Sequence, residues 1–303
     1  MNDLKTSFFL TACVGVLVIA FAAGCSENPG NSKGHSVDDD DTTELPESNI
    51  EQVKTIFYML PSPIETASLL HKAGAEYDGT ILNPIENVNK YELTGKKALN
   101  LGVYGADLSY ASVFDQSQEV LFYISACKKL SDGLGLEKAF DPQTISRMEE
   151  NINDKDSLLH LISDSYLLAD TYLQENDRSN FSALIISGGW IEGLYIATLV
   201  YKNNPNEAIL KRISEQKFSL SHLIEIVQPY KDDYADIEKV YYDLKELENV
   251  FNKISMTKNK ATSSTNKNTG ITTIGGAGSL NISPETLIEL SEKVKIIRNR
   301  YTQ

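Results

Sequence analysis

Cysteine, histidine and tryptophan are scarce in this chain, and their scarcity excludes several kinds of chemistry. The 303 residues include three cysteines, four histidines and one tryptophan. Cys13 and Cys25 lie in the first 25 residues, which leaves Cys127 alone in the remainder. A disulfide within that remainder and a cysteine-based metal cluster are therefore excluded. Cys127 shares an apolar helical pattern with Phe122 and Ile124, which predicts a small buried side chain.

Positive charge is also scarce. Lysine and arginine together number 28 against 42 aspartate and glutamate residues, which gives a formal net charge of −14. Nucleic-acid phosphates are bound by basic surfaces, so we expect no nucleic-acid partner. The same balance does not favour docking by charge on anionic lipid.

Recognisable catalytic and metal-binding motifs are missing from the sequence. There is no Gly-x-Ser-x-Gly elbow, and the glycine-rich stretch 275–278 lacks the Lys-Ser/Thr of a phosphate-binding loop. His71, His160 and His222 each end a Ser-Leu-x-His pattern, which suggests zinc as one hypothesis. Without cysteine ligands or a His-x-x-x-His pair, we prefer to interpret each pattern as a serine N-cap followed by a helix. The sequence therefore predicts no catalytic residue, no metal site and no cofactor.

The N-terminal segment carries the most specific signal in the chain. Lys5 is followed by an uncharged run from Thr6 to Ala23 and then by Gly24-Cys25, the pattern of a secretory signal peptide. Ala22-Ala23-Gly24-Cys25 resembles the lipobox of bacterial lipoproteins. The resemblance implies that residues 1–24 are removed and that Cys25 is acylated, with palmitate among the acyl chains.

The same resemblance predicts where the protein is located. A lipidated Cys25 would anchor it to the outer membrane, facing the periplasm or the cell surface, and two or more acyl chains are needed for stable anchoring. The alternative is a retained transmembrane helix. The apolar run is slightly short for the roughly 20 residues that span a bilayer, and no basic cluster follows it.

Residues 25–48 are predicted to be a lipidated, disordered acidic tether. This stretch holds Pro, Gly, Ser and Asn followed by the run Asp38 to Asp41, with almost no apolar side chains. Such a composition buries too little apolar surface to offset the entropy of ordering.

From about Ile50 onward the spacing of apolar residues is helical, and residues 49–303 are predicted to form a single all-helical domain. The candidate helices are 48–59, 63–75, 96–131, 142–150, 156–176, 180–203, 205–215, 219–228, 230–257 and 284–301. We expect an all-α fold, an irregular multi-helix bundle of about ten helices, with helical-repeat stacking as a variant. Residues 257–282 are rich in Thr, Ser, Asn and Gly and are predicted to be a flexible loop. In overall character the body resembles the uncharacterised all-helical lipoproteins of Bacteroidota.

Two of the predicted helices are almost free of charge. Asp107 is the one charged residue between Lys97 and Asp115, and Glu192 is the one charged residue between Arg178 and Lys202. Both segments carry glycines that let another backbone approach. These features predict the two central helices of the bundle, buried on most of their circumference.

Each of these acids is followed three residues later by a tyrosine, Tyr110 and Tyr195, on the same helix face. Two acids facing each other across a cavity, with Trp190 nearby, would form a pocket for a cationic or sugar-like ligand. On that hypothesis, replacing both acids by amides abolishes ligand uptake and leaves folding intact. The alternative is structural: each acid caps a neighbouring helix end or bonds a tyrosine hydroxyl.

Three functional hypotheses follow. The first is a membrane-tethered lipoprotein that acts as a protein-binding accessory or assembly module of the cell envelope, with an envelope protein as its partner. The second is a small-molecule-binding lipoprotein with a pocket between the two central helices. The third, ranked last, is an enzyme acting on a glycosidic bond, which requires carboxylates about 5 to 9 Å apart.

Overall fold

The computed structural model describes residues 62–257, 262–265, 272–275 and 279–303; for 262–265 and 272–275 it describes the backbone alone. The predicted signal peptide, the lipidated Cys25, the acidic tether and the candidate helix 48–59 lie outside the described residues.

Nine α-helices and three short 3-10 helices lie within these ranges. The α-helices are α1 Pro63–Lys72, α2 Thr94–Val113, α3 Ser117–Asp132, α4 Pro142–Glu150, α5 Lys155–Glu175, α6 Ser179–Asn203, α7 Glu207–Val227, α8 Ala235–Phe251 and α9 Pro284–Thr302. The 3-10 helices are Gly79–Ile81, Ile85–Lys90 and Gln228–Tyr230. The predicted fold class, an all-α multi-helix bundle, is confirmed.

Several helices begin where a capping residue is followed by proline. The Ser62 hydroxyl accepts from the Glu65 amide at 3.2 Å, and the Ser283 hydroxyl accepts from the Thr286 amide at 3.2 Å. Asp141 caps α4 in the same way. Proline has no amide hydrogen, but an amide at the first helical position would have no partner within the helix. A capping residue followed by proline therefore starts a helix without loss of stability. The predicted start of the last helix at Ser283-Pro284 is confirmed.

Several predicted boundaries differ from the structure. The candidate 230–257 is shorter, because α8 spans Ala235–Phe251 and Ser255–Thr257 is a β-strand. The candidate helix 96–131 is two helices, because the chain turns at Asp115, whose φ of 58° is left-handed. Aspartate tolerates this conformation better than most residues, so the helix can end here without a glycine or proline. The sequence therefore does not mark the break. Conversely, the candidates 205–215 and 219–228 are one continuous helix, α7.

Helices α2 and α6 lie at the centre of the bundle, as predicted from their lack of charge. They cross where glycines on each helix contact the backbone of the other. A Cβ on Gly102 would lie 1.9 Å from the carbonyl oxygen of Ile185, and one on Gly188 would lie 2.0 Å from that of Leu99. Helix α6 is long and apolar enough to cross a membrane, but 83% of its most apolar 18-residue window is buried inside the protein. It is a core helix of the bundle.

Four short strands lie in and next to the segment 257–282 that was predicted as a flexible loop. Strand β1 (Ser255–Thr257) pairs with β4 (Ser279–Asn281), and β2 (Thr262–Thr265) pairs with β3 (Thr272–Gly275), both antiparallel. The polar Thr and Ser residues of this segment are typical of a loop. Threonine is also β-branched, however, and prefers extended backbone.

Candidate functional site

The two acids of the central helices belong to a buried charge cluster that includes an arginine of α9. The Glu192 carboxylate accepts two hydrogen bonds from Arg298, from Nε at 2.8 Å and from Nη2 at 2.9 Å. The Glu192 side chain is fully buried and that of Arg298 is 8% exposed. This bidentate geometry is the strongest form of arginine–carboxylate pairing, and it ties α9 to α6.

Asp107 lies beside this ion pair and is fully buried. Its Oδ2 accepts from the backbone amide of Asn83 at 3.2 Å, whereas its Oδ1 has no hydrogen-bond partner among the described residues. Burial, followed by the negative charge of Glu192, raises the pKa of Asp107 well above its usual range. We therefore treat Asp107 as a neutral acid, and Glu192 with Arg298 as the charged pair.

A shell of hydrogen bonds closes the cluster on the side of the 3-10 helices. The side-chain amide of Asn83 donates to the Tyr91 hydroxyl at 3.0 Å, and that hydroxyl donates to the Thr302 carbonyl at 3.1 Å. Both Asn83 and Tyr91 are buried. The acids thus face protein groups, and Arg298 occupies the position that a cationic ligand would need.

The tyrosines predicted to accompany the acids separate in the structure. The Tyr195 ring lies under the Arg298 guanidinium, 4.8 Å from ring centroid to Cζ, so it does belong to the cluster through a cation–π contact. Tyr110 instead stacks on Tyr77 and packs against Phe114. The Tyr110 hydroxyl accepts from the Asp78 amide and donates to the Glu76 carbonyl, both at 3.4 Å, rather than bonding Asp107.

Sequence analysis missed Arg298, although a signal was present. The buried face of α9 includes Leu290, Val294, Ile297 and Tyr301. Arg298 lies four residues after Val294 and three before Tyr301, which places it on that apolar face. An arginine on a buried face predicts a buried acid as its partner.

Trp190 lies on a different face of α6 and lines a separate cavity of about 340 Å³. Helices α1, α2, α5, α6 and α7 surround this cavity. The α6 residues that line it are Ser182, Ile185, Ile186, Gly189, Trp190, Gly193, Leu194 and Ala197. Their spacing of three and four residues marks one continuous helix face. From Ser182 to Ala197 this face is about 22 Å long at the usual helical rise.

Glycines leave this space open at its centre. A Cβ on Gly193 would meet no atom within 4 Å, so this position borders empty volume. Across the cavity, Gly105 of α2 contacts the hydroxyl end of Tyr166, whose oxygen donates to the Leu101 carbonyl at 2.7 Å. The walls are therefore fixed by helix packing while the interior is left unfilled.

The lining is mostly apolar, with a few polar groups that are largely paired. The Trp190 indole donates to Gln216 Oε1 at 2.9 Å. The Asp170 carboxylate accepts from the Ser182 hydroxyl and from Gln174 Nε2. These polar groups hydrogen-bond each other, so they leave few free donors or acceptors for a ligand.

Asp164 of α5 lines the cavity without a side-chain hydrogen bond among the described residues but is exposed to solvent, and the cation of the lining is Arg212 of α7. Its side chain is 15% exposed, and its Nε is buried without a hydrogen-bond partner among the described residues. Its Nη2 lies 3.5 Å from both Glu65 Oε2 and Thr66 Oγ1, at the limit of hydrogen bonding. The Glu65 side chain is 65% exposed, so this pairing is weak.

No group of three or more His, Cys, Asp or Glu side chains suited to a metal ion occurs among the residues that the structure describes. The five residues predicted to form one pocket are thus divided. Asp107, Glu192 and Tyr195 surround Arg298, Tyr110 packs against aromatic rings, and Trp190 lines the apolar cavity.

No family model matches this chain, and no curated protein and no solved structure is significantly similar to it. The function is therefore argued from the geometry of the cavity and the cluster.

Proposed function

We propose that this protein is a lipid-anchored, small-molecule-binding protein of the cell envelope, and that its ligand occupies the apolar cavity between α1, α2, α5, α6 and α7. The observation that carries the proposal is the cavity itself, a partly open space of about 340 Å³ between these helices. Protein interiors are packed with few voids larger than a water molecule. A cavity of this size falls at the lower end of ligand pockets, roughly 300 to 1,000 Å³.

The chemistry of the lining moves the proposed ligand away from the cationic or sugar-like class. A sugar needs many unpaired hydrogen-bonding groups, whereas the Trp190–Gln216 and Asp170–Ser182 pairs are already satisfied. The acidic pair that was to attract a cation is neutralised by Arg298. The lining instead favours an apolar ligand whose binding is driven by removal of its surface from water.

The test uses a substitution that fills the cavity. We expect Gly193→Leu to place its side chain in open space, so that it blocks ligand entry without a clash. The matched control is Thr171→Leu on α5, which adds a similar side chain at an exposed position that is not among the residues lining the cavity. Residues 25–303 with Cys25→Ser would be purified without detergent, since detergent would compete for an apolar site.

Binding is measured with the neutral apolar dye N-phenyl-1-naphthylamine. The unsubstituted protein and Thr171→Leu should bind the dye equally, and Gly193→Leu should bind it at least tenfold more weakly with an undiminished melting temperature. Equal binding by all three proteins, or no binding by any of them, contradicts the proposal. Mass spectrometry of an organic extract of the protein from its native membrane would identify the bound molecule.

The protein-binding hypothesis remains a second proposal. It is favoured by the large apolar side chains that the described residues expose, among them Phe122, Leu168 and Ile288, which are between 47% and 61% exposed. Mild-detergent purification from the native membrane tests it directly. A stoichiometric protein partner that co-purifies with both the unsubstituted protein and Gly193→Leu would support an accessory role that is independent of the cavity.

A further inference from the structure

Because of Arg212, the two ends of the cavity carry different charges. The short connection 204–206 between α6 and α7 makes these helices antiparallel. Gln216 of α7 bonds Trp190, so Arg212, one turn before Gln216, lies towards the Ala197 end of the cavity. The Asp170–Ser182 pair lies at the opposite end. One end therefore carries a cation, and the other end carries a carboxylate that is already hydrogen-bonded. A third charged group of the lining, Asp164, is exposed and lies six residues before Asp170 on α5, in the direction of Arg212.

The cation is the group with unused bonding capacity. A guanidinium has five N–H donors, and among the described residues Arg212 makes only two side-chain hydrogen bonds, both at 3.5 Å and both from Nη2. Its buried Nε has no partner among the described residues. An unpaired buried donor is costly, and an anionic ligand group at this end would satisfy it.

We infer that the ligand is a single-headed anionic amphiphile, whose carboxylate or phosphate is bound by Arg212 and whose apolar chain lies along α6 towards Ser182. This inference rests on the proposed function. Arginine binds both carboxylate and phosphate through paired N–H donors, so the two headgroups share one recognition chemistry. Arg212 would attract the anionic headgroup at one end of the cavity, and Asp170 would repel it at the other end. These two charges fix the direction in which the ligand binds.

The single tryptophan of the chain makes the test direct. Trp190 lines the cavity, so its fluorescence reports occupancy without an added label. Four probes with the same chain are titrated: dodecanoate, dodecyl phosphate, dodecanol and dodecylammonium. The proteins are residues 25–303 with Cys25→Ser, alone and with Arg212→Gln or Arg212→Lys.

We expect at least one of the two anionic probes to bind at least tenfold more tightly than dodecanol, and dodecylammonium to bind most weakly. Arg212→Gln should reduce the affinity for the anion to that for dodecanol and leave dodecanol unchanged, while Arg212→Lys should keep part of the preference. The tighter of the two anions distinguishes a free fatty acid from a phosphate-bearing lipid as the source.

The possible failures are distinguishable. If dodecanol binds as tightly as both anions, or if Arg212→Gln leaves the affinity for the anion unchanged, the inference is wrong and the apolar site stands. If no probe binds at all, the proposed function fails with it. Gly193→Leu should abolish every response, which excludes binding elsewhere on the surface as the cause of the signal.

Discussion

At the scale of single residues, the two buried carboxyl groups have opposite roles although they lie beside each other. Glu192 is charged and paired with Arg298, whereas burial and the charge of Glu192 raise the pKa of Asp107. Removing one partner of a buried ion pair costs far more than the pair contributes, because the other charge is left uncompensated. A neutral buried acid carries no such partner charge.

The same isosteric change should therefore have opposite effects at the two positions. Glu192→Gln leaves the Arg298 charge buried without a counter-charge and should lower the free energy of unfolding by about 3 to 5 kcal/mol. Asp107→Asn keeps an acceptor for the Asn83 amide and removes an ionisable group that burial disfavours. It should raise the free energy of unfolding at pH 8 by on the order of 1 kcal/mol.

The pH dependence distinguishes this explanation from a mere change in packing. The folded pKa of Asp107 lies above the unfolded value of about 3.9. Its contribution to stability is therefore fully present below the unfolded pKa and is lost as pH rises towards the folded pKa. The gain from Asp107→Asn should grow between pH 4 and pH 8 in urea unfolding. A loss of stability at pH 8 would show that Asp107 is needed as a charged group.

At the scale of helices, the glycines of α2 and α6 divide into those that permit contact and one that borders space. Gly102 and Gly188 lie where the two backbones meet, so no side chain fits between them. Gly193 lies on the same helix as Gly188 but faces the cavity. Packing and cavity thus arise from the same kind of residue, placed one to two turns apart.

Alanine substitutions should separate these two roles. Gly102→Ala and Gly188→Ala should each cost about 1 to 3 kcal/mol or more, because the helices must move apart to accept the methyl group. Gly193→Ala should instead stabilise the protein by about 0.5 to 1 kcal/mol through helix propensity. Thermal and urea unfolding measure both effects. Equal effects at all three positions would contradict the crossing geometry.

At the scale of the whole molecule, the end of α9 joins distant parts of the chain. The Asn100 amide donates to the Tyr301 carbonyl at 2.9 Å, and the Lys96 ammonium donates to the Arg300 carbonyl at 2.6 Å. Together with the Arg298–Glu192 pair, these contacts hold α9 on α2 and α6. In β1 the side chains are exposed, and in β4 Leu280 is the one that packs against the core.

Two deletions should therefore differ sharply. Deleting residues 298–303 leaves Glu192 buried without its arginine and should abolish cooperative unfolding. Replacing residues 258–278 by Asn-Gly should change the free energy of unfolding by no more than about 1 kcal/mol, because Thr257 and Ser279 already pair across β1 and β4. Near-ultraviolet circular dichroism and urea titration measure the outcome. A cooperative transition in the 298–303 deletion would show that the end of α9 is dispensable.

Part of the candidate site was open to prediction from local spacing. The lack of charge around Asp107 and Glu192 predicted their central position, and helix periodicity predicted most helix boundaries. Trp190 and Glu192 lie on different faces of α6, as their spacing implies, because residues two apart on a helix do not share a face. The pairing of Glu192 with Arg298 links residues 106 positions apart, and no periodicity reports such a contact.

The sequence by itself determined the helical character of the body, the capped starts at Ser62 and Ser283, and the two apolar helices that had to be buried. These properties depend on neighbours within a few residues, so local spacing is enough to specify them. The tertiary structure alone decided that an arginine neutralises the acid pair and that a cavity opens beside Trp190. Both depend on how far apart helices are held by contacts distant in sequence, and the closest of those contacts is the crossing at Gly102 and Gly188.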